Sequence, residues 1–124
     1  TTLDTGKPIL LIVEDNEEIQ KYIVESFTDS FEVITANNGE EGTQQALSRI
    51  PDIVVSDIMM PVMDGIEALK EIRLHTDSLP VIMQTAYAFD TDRRVAEKAG
   101  CNGFITKPVM PRELKMYLDK YLTK

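Results

Sequence analysis

The chain reads as an α/β domain built on a doubly wound, five-stranded parallel sheet with helices on both faces, and three observations lead there. Short apolar runs of strand length recur five times, at 9–13, 31–36, 53–57, 80–84 and 103–106. Each is followed by a segment whose apolar residues return every three or four positions, the spacing of an amphipathic helix. Four of the five runs end on a residue able to do chemistry: Glu14-Asp15, Asp57, Thr85 and Lys107. Alternating strands and helices imply a parallel sheet with right-handed crossovers. Ligands of open α/β sheets sit beyond the carboxyl ends of the strands, so these four positions share one rim.

The elements follow in order. Thr1 to Lys7 (TTLDTGK) is polar and aperiodic, a tail or interdomain linker, and the domain is expected over 8–124. Ile9 to Val13 is a continuous apolar strand, buried on both faces. A helix on Ile19, Tyr22, Ile23 and Phe27 follows, capped by Asp15 or Asn16. Phe31 to Ala36 alternates as an edge strand. Asn37-Asn38-Gly39 turns into a second helix on Gly42, Ala46, Leu47 and Ile50, which Pro51-Asp52 ends. The central strand, Ile53 to Asp57, precedes a third helix on Ile66, Leu69 and Ile72. Pro80 to Gln84 is the fourth strand. A helix over 90–99 rests on only Val95, Ala96 and Ala99 and should be the least firmly held; Gly100 stops it. Gly103 to Thr106 is the fifth strand, and Leu114, Tyr117, Leu118 and Tyr121 mark the last helix.

Composition bounds the function. With 124 residues, 43% hydrophobic and 27% charged, this is one ordinary globular domain. A net charge of -8 without a Lys/Arg cluster speaks against a nucleic-acid surface. Cys101 is the lone cysteine, which excludes an internal disulfide and fits a reducing, cytoplasmic compartment; packing is its expected role. The longest uninterrupted apolar run, Ile9 to Val13, cannot span a bilayer, so no membrane contact is expected of this domain, although a parent protein could be anchored.

The rim sets the chemistry. Where the first and third strands are neighbours, Glu14, Asp15 and Asp57 meet. At about 4 to 5 Å and an effective dielectric near 20, each like-charge pair costs roughly 3 to 4 kcal/mol, so the cluster calls for a cation or a proton. Hard oxygen ligands in small number suit Mg²⁺. Flanked by Mg²⁺ and Lys107, Asp57 would stay ionised and able to attack phosphorus, giving an acyl phosphate. The phosphoryl oxygens would then meet the metal, the Lys107 ammonium and the Thr85 hydroxyl. Lys107-Pro108 is a candidate cis peptide that would aim the ammonium inward.

Plainer readings exist for each residue. Asp15 with Glu18 fits a capping box, Asp64-Gly65 fits turn chemistry, and Thr85 or Lys107 alone could be a strand-end polar residue or a solvated charge. His75, the one histidine, falls at the far end of the third helix as a surface residue, so a histidine phosphodonor must belong to a partner. The methionines are mostly core filler, with Met59, Met63, Val109 and Met110 able to form an apolar docking rim. Coincidence of so many groups at one rim is what separate plain readings leave unexplained.

Two rival functions meet specific obstacles. An aspartate-nucleophile phosphohydrolase would want a second acid two residues after Asp57, where Met59 stands. A non-catalytic flavodoxin-like binding module would need a Gly- and hydroxyl-rich phosphate loop, and Glu14-Asp15-Asn16-Glu17-Glu18 would repel phosphate.

The segments VEDN, SDIMMPVMDG, QTAYA and GFITKP, in this order and spacing, resemble the receiver domain of two-component response regulators, and the resemblance runs from about Pro8 to the C-terminus. It implies the flavodoxin-like strand order 2-1-3-4-5. It implies Asp57 as phosphoacceptor, Glu14 and Asp15 as the acid pair for Mg²⁺, and Met59 as a backbone-carbonyl ligand. Thr85 resembles the switch hydroxyl, Lys107 the lysine of the site and Phe104 the switch aromatic. The acid pair is Glu-Asp rather than the commoner Asp-Asp, which favours Asp15 as direct ligand with Glu14 acting through water. Phe104 lacks the tyrosine hydroxyl often found there. Met59 and Tyr87 are expected to flank the path of attacking water, and neither is a base. A histidine kinase or a histidine phosphotransfer domain is the implied partner. The isolated receiver would catalyse only its own phosphorylation and dephosphorylation. The QTAYA and AGCNGFITKP phrasing resembles receivers of hybrid sensor histidine kinases, so the parent chain could itself be a kinase.

Overall fold

The computed structural model describes residues 7–58, 63–85, 90–106 and 111–122. Within them the chain alternates β1 (Ile9–Val13), α1 (Glu17–Phe27), β2 (Glu32–Ala36), α2 (Gly39–Arg49), β3 (Ile53–Asp57), α3 (Gly65–His75), β4 (Val81–Thr85), α4 (Asp90–Ala99), β5 (Gly103–Thr106) and α5 (Pro111–Leu122). The five strands form one parallel sheet in the order β2-β1-β3-β4-β5, as the resemblance implied. No helix among the described residues is long and apolar enough to cross a membrane.

Side chains alternate across the sheet, which divides the core into two layers. Leu11, Val13, Val54, Val81 and Met83 pack under Ala46 of α2, Leu69 and Ile72 of α3 and Ala96 of α4. On the opposite face Leu10, Ile12, Ile53, Val55 and Ile82 pack under Ile23 and Phe27 of α1 and Leu114 and Leu118 of α5. Strands β3 and β4 are buried at every position, whereas β2 is half-exposed at the sheet edge. Every strand points its carboxyl end the same way, so Glu14, Asp57 and Thr85 come to one rim.

Several apolar positions that mark the helical pattern do not reach the core. Tyr22, Leu47 and Val95 are exposed, because the sheet covers only a narrow stripe of each helix. Ile50 is not helical at all: it takes the left-handed C-cap of α2 at φ 47° and stands in solvent. Helix α4 contributes only Ala96 as a buried residue among those whose side chains are described, in keeping with its thin stripe. Gly100 stops it at φ 106°. There Arg73 of α3 donates from Nε and from one guanidinium nitrogen to the Gly100 carbonyl, at 3.0 and 2.7 Å, tying α3 to the α4–β5 turn. Cys101 packs against the first core layer; burial, and then the Glu97 carboxylate, push its thiol pKa up, as suits a packing residue.

The rim depends on a close approach behind it. The Gly65 amide donates to the Ile58 carbonyl at 2.7 Å, drawing the start of α3 against the end of β3. A Cβ on Gly65 would overlap the Asp57 carbonyl oxygen and crowd the Met83 methyl. Gly65→Ala is therefore expected to cost about 1 to 3 kcal/mol in urea denaturation, since backbone has to move to make room; an unchanged unfolding midpoint would show that this approach is not a constraint.

Candidate functional site

Strand register builds the site. In the pairing of β1 with β3, Val13 stands beside Ser56; in that of β3 with β4, Asp57 stands beside Gln84. Glu14, one residue beyond Val13, therefore comes level with Asp57, and Glu14, Asp57 and Gln84 form a lateral row across three neighbouring strands. Carboxylate oxygens of Glu14, Asp15 and Asp57 all lie within 4.8 Å of one another. Glu14 is fully buried, Asp57 is 4% exposed and Asp15 is open to solvent.

Glu14 is held at both backbone and side chain. Its amide donates to the Ala36 carbonyl at 3.0 Å, and its carbonyl accepts from Gln20 Nε2 at 3.0 Å, fastening β1 to β2 and to α1. Its Oε2 accepts from the Asn16 amide at 3.1 Å and its Oε1 from Gln84 Nε2 at 3.0 Å. A carboxylate oxygen can accept more than one partner.

The cap of α1 falls to Asn16, whose Oδ1 accepts from the Glu18 and Ile19 amides at 2.9 and 3.0 Å. This displaces the capping-box reading of Asp15 and leaves its carboxylate facing solvent at the acid cluster. A capping box is instead present at α3, where Asp64 accepts from the Glu67 amide and the Glu67 side chain accepts from that of Asp64. Asp64-Gly65 is thus a helix start rather than turn chemistry alone. His75 is exposed at the opposite end of α3.

Thr85 ends β4 and is 2% exposed. Phe104, beside Met83 in the β4–β5 register, is buried in the layer under α3 and α4. The Arg93 guanidinium of α4 lies over its ring, 5.3 Å from the centroid. The expectations for Met59, Tyr87, Lys107, Pro108, Val109 and Met110 fall outside the described residues. The sequence reading missed Gln84 as a rim residue; its one signal is an amide closing the otherwise apolar strand PVIMQ.

The donor set fits Mg²⁺. Three carboxylates, one open to water, offer hard oxygen ligands with room for solvent, the arrangement a small hard cation prefers. The set also explains why three acids can be gathered at a mostly buried rim: a divalent cation would offset their repulsion. Removing the cap and removing an acid should then have opposite effects on the metal-free chain. Asn16→Ala is expected to cost about 1 kcal/mol, and Asp15→Ala to leave thermal stability unchanged or higher; a comparable loss in Asp15→Ala would return the capping role to that residue.

Comparison with known proteins places the chain in a family. The family model described as response regulator receiver domain matches residues 10–119. The chain is 36% identical to the alkaline phosphatase synthesis transcriptional regulatory protein PhoP of Bacillus subtilis over 93% of its length and 48% of that protein's. It is also 36% identical to hybrid signal transduction histidine kinase D of Dictyostelium discoideum, over 88% of this chain and 7% of that one. The chain thus spans half or less of these relatives. Among solved structures, the receiver domain of sensor histidine kinase PA1611 from Pseudomonas aeruginosa, with a magnesium ion coordinated in its active site cleft, superposes with a TM-score of 0.88 at 29% identity, covering 95% of this chain and 99% of that one.

Proposed function

This chain belongs to the response regulator receiver domain family of two-component signalling, and from that premise we propose that it accepts a phosphoryl group from a partner phosphohistidine onto Asp57. The observation that carries the proposal is the clustering of Glu14, Asp15 and Asp57 at the carboxyl ends of β1 and β3. An Asp57 carboxylate oxygen attacks phosphorus, the phosphorus–nitrogen bond breaks, and the imidazole leaves with the electron pair. Asp15 is the proposed direct ligand for Mg²⁺, with Asp57 and the Met59 carbonyl, and Glu14 acts through water. Bound there, Mg²⁺ would supply charge neutralisation for the phosphoryl oxygens. Lys107 is assigned to a further phosphoryl oxygen by the resemblance of GFITKP.

Residues 1–7 are read as a tail or linker to the 8–124 domain, and a cytoplasmic setting is proposed. Similarity to a hybrid kinase, together with the QTAYA and AGCNGFITKP phrasing, supports a hybrid sensor kinase as parent protein. The partner is then a histidine kinase or a histidine phosphotransfer domain.

The direct test is intact mass after incubation with a small acyl-phosphate donor, with and without Mg²⁺. One added phosphoryl group is expected with the metal, and none in Asp57→Asn, because an amide cannot serve as the nucleophile. A variant that gained the group at the parent's rate would remove Asp57 from this role.

The output is proposed to run through Thr85 and Phe104. A phosphoryl group on Asp57 offers the Thr85 hydroxyl a charge-assisted hydrogen bond worth roughly 1.5 to 3 kcal/mol, enough to shift a two-state equilibrium about ten- to a hundredfold. Movement of Thr85 frees volume for Phe104, and movement of that ring disturbs its contact with Arg93 on α4, the helix with the thinnest described core contact. With a phosphoryl mimic on Asp57, amide exchange is expected to change over 85–99 and at Phe104, while α1 stays as it was. The full pattern persisting in Thr85→Ala would show that the hydroxyl is not the trigger.

A further inference from the structure

One buried polar group at the rim has no part in the proposed chemistry. Gln84 is fully buried, in a strand whose other positions are also buried. Its Nε2 reaches across the strand that bears Asp57 to donate to Glu14 Oε1 at 3.0 Å. Its Oε1 finds no hydrogen-bond partner among the described residues. A buried acceptor without a donor costs stability, and a methionine of the same length would fill the volume without that cost. The bond to Glu14 accounts for an amide at this position, since a methionine would leave the buried Glu14 carboxylate short of a donor. Exchanging the amide's two ends would set oxygen against carboxylate oxygen, so the orientation is dictated by Glu14.

We propose that Gln84 is a positioning residue of the metal centre, holding the long Glu14 side chain in place beside Asp57; this rests on the Mg²⁺ reading above. Glutamate carries one more methylene than aspartate and so one more rotatable bond to be fixed. Two donors on separate elements fix it, the Asn16 amide at the start of α1 and the Gln84 amide on β4. With one oxygen bound by each, the carboxylate is held where its oxygens lie within 4.8 Å of those of Asp15 and Asp57. Outer partners of this kind orient a ligand without touching the metal. Gln84 would thereby make a Glu-Asp pair serviceable where the shorter Asp-Asp pair is commoner.

The test is calorimetric titration of the 124-residue chain with Mg²⁺ alone, in the parent, Gln84→Met, Glu14→Asp and the double variant, with Gln84→Leu as a second apolar replacement. Gln84→Met should weaken Mg²⁺ binding about tenfold or more, while the metal-free protein stays folded and unfolds somewhat earlier than the parent, because Glu14 Oε1 loses a donor. Glu14→Asp withdraws the carboxylate by roughly 1.5 Å, one carbon–carbon bond, beyond reach of the amide. In that background Gln84→Met should change Mg²⁺ affinity less than about twofold, since the coupled contact is already gone. Unaltered affinity in Gln84→Met and Gln84→Leu, or an equal loss in both backgrounds, would overturn the positioning role while leaving the metal site intact. A parent chain that did not bind Mg²⁺ would overturn the metal reading itself, and this inference with it.

Discussion

Three carboxylates forced together at the end of a parallel sheet are the constraint on which the rest of this structure depends. Apolar strands buried on both faces leave little room to place charge except at their ends. The β1–β3 register then brings Glu14 level with Asp57, and the turn into α1 adds Asp15. Such a cluster is unfavourable in the absence of a counter-charge. The fold holds it by over-determining Glu14, whose backbone and side chain together bind Ala36, Gln20, Asn16 and Gln84. Repulsion that the scaffold resists is what a bound cation would offset.

The opposite side of the site is held more lightly. Gly65 lets α3 close directly onto the end of β3, and Arg73 ties the far end of α3 to the Gly100 carbonyl, so α3 is fixed at both ends. Among the residues whose side chains are described, helix α4 meets the core through Ala96, the partly buried Ala99 and the stacking of Arg93 on Phe104. Elements with few buried contacts are those that move first.

Most of the architecture was legible in the sequence because strand and helix periods differ and because four of the five strands end on a chemical residue. The bounds of β1, β3 and β5 agree with the apolar runs, and the acids fall on the expected rim. What escaped was side-chain direction within helices and partner choice at the caps. Tyr22 and Ile50 fit a helical period yet face solvent, since periodicity does not say how wide the buried stripe will be. Asp15 and Asn16 are both good caps on paper; the backbone turn after β1 gives the role to Asn16. Gln84 was invisible as a rim residue because its partner, Glu14, lies 70 positions away in the chain. Only the lateral alignment of β1, β3 and β4 brings them together.

We propose that the rim stores like-charge repulsion that Mg²⁺ relieves through Asp57. This is tested most directly by unfolding free energy measured against Mg²⁺ concentration in the parent and in Asp57→Asn. The parent should gain about 1.4 kcal/mol for each tenfold rise above its dissociation constant. Asp57→Asn should start more stable without metal and respond less to it. Equal responses in the two proteins, or none in the parent, would contradict the account.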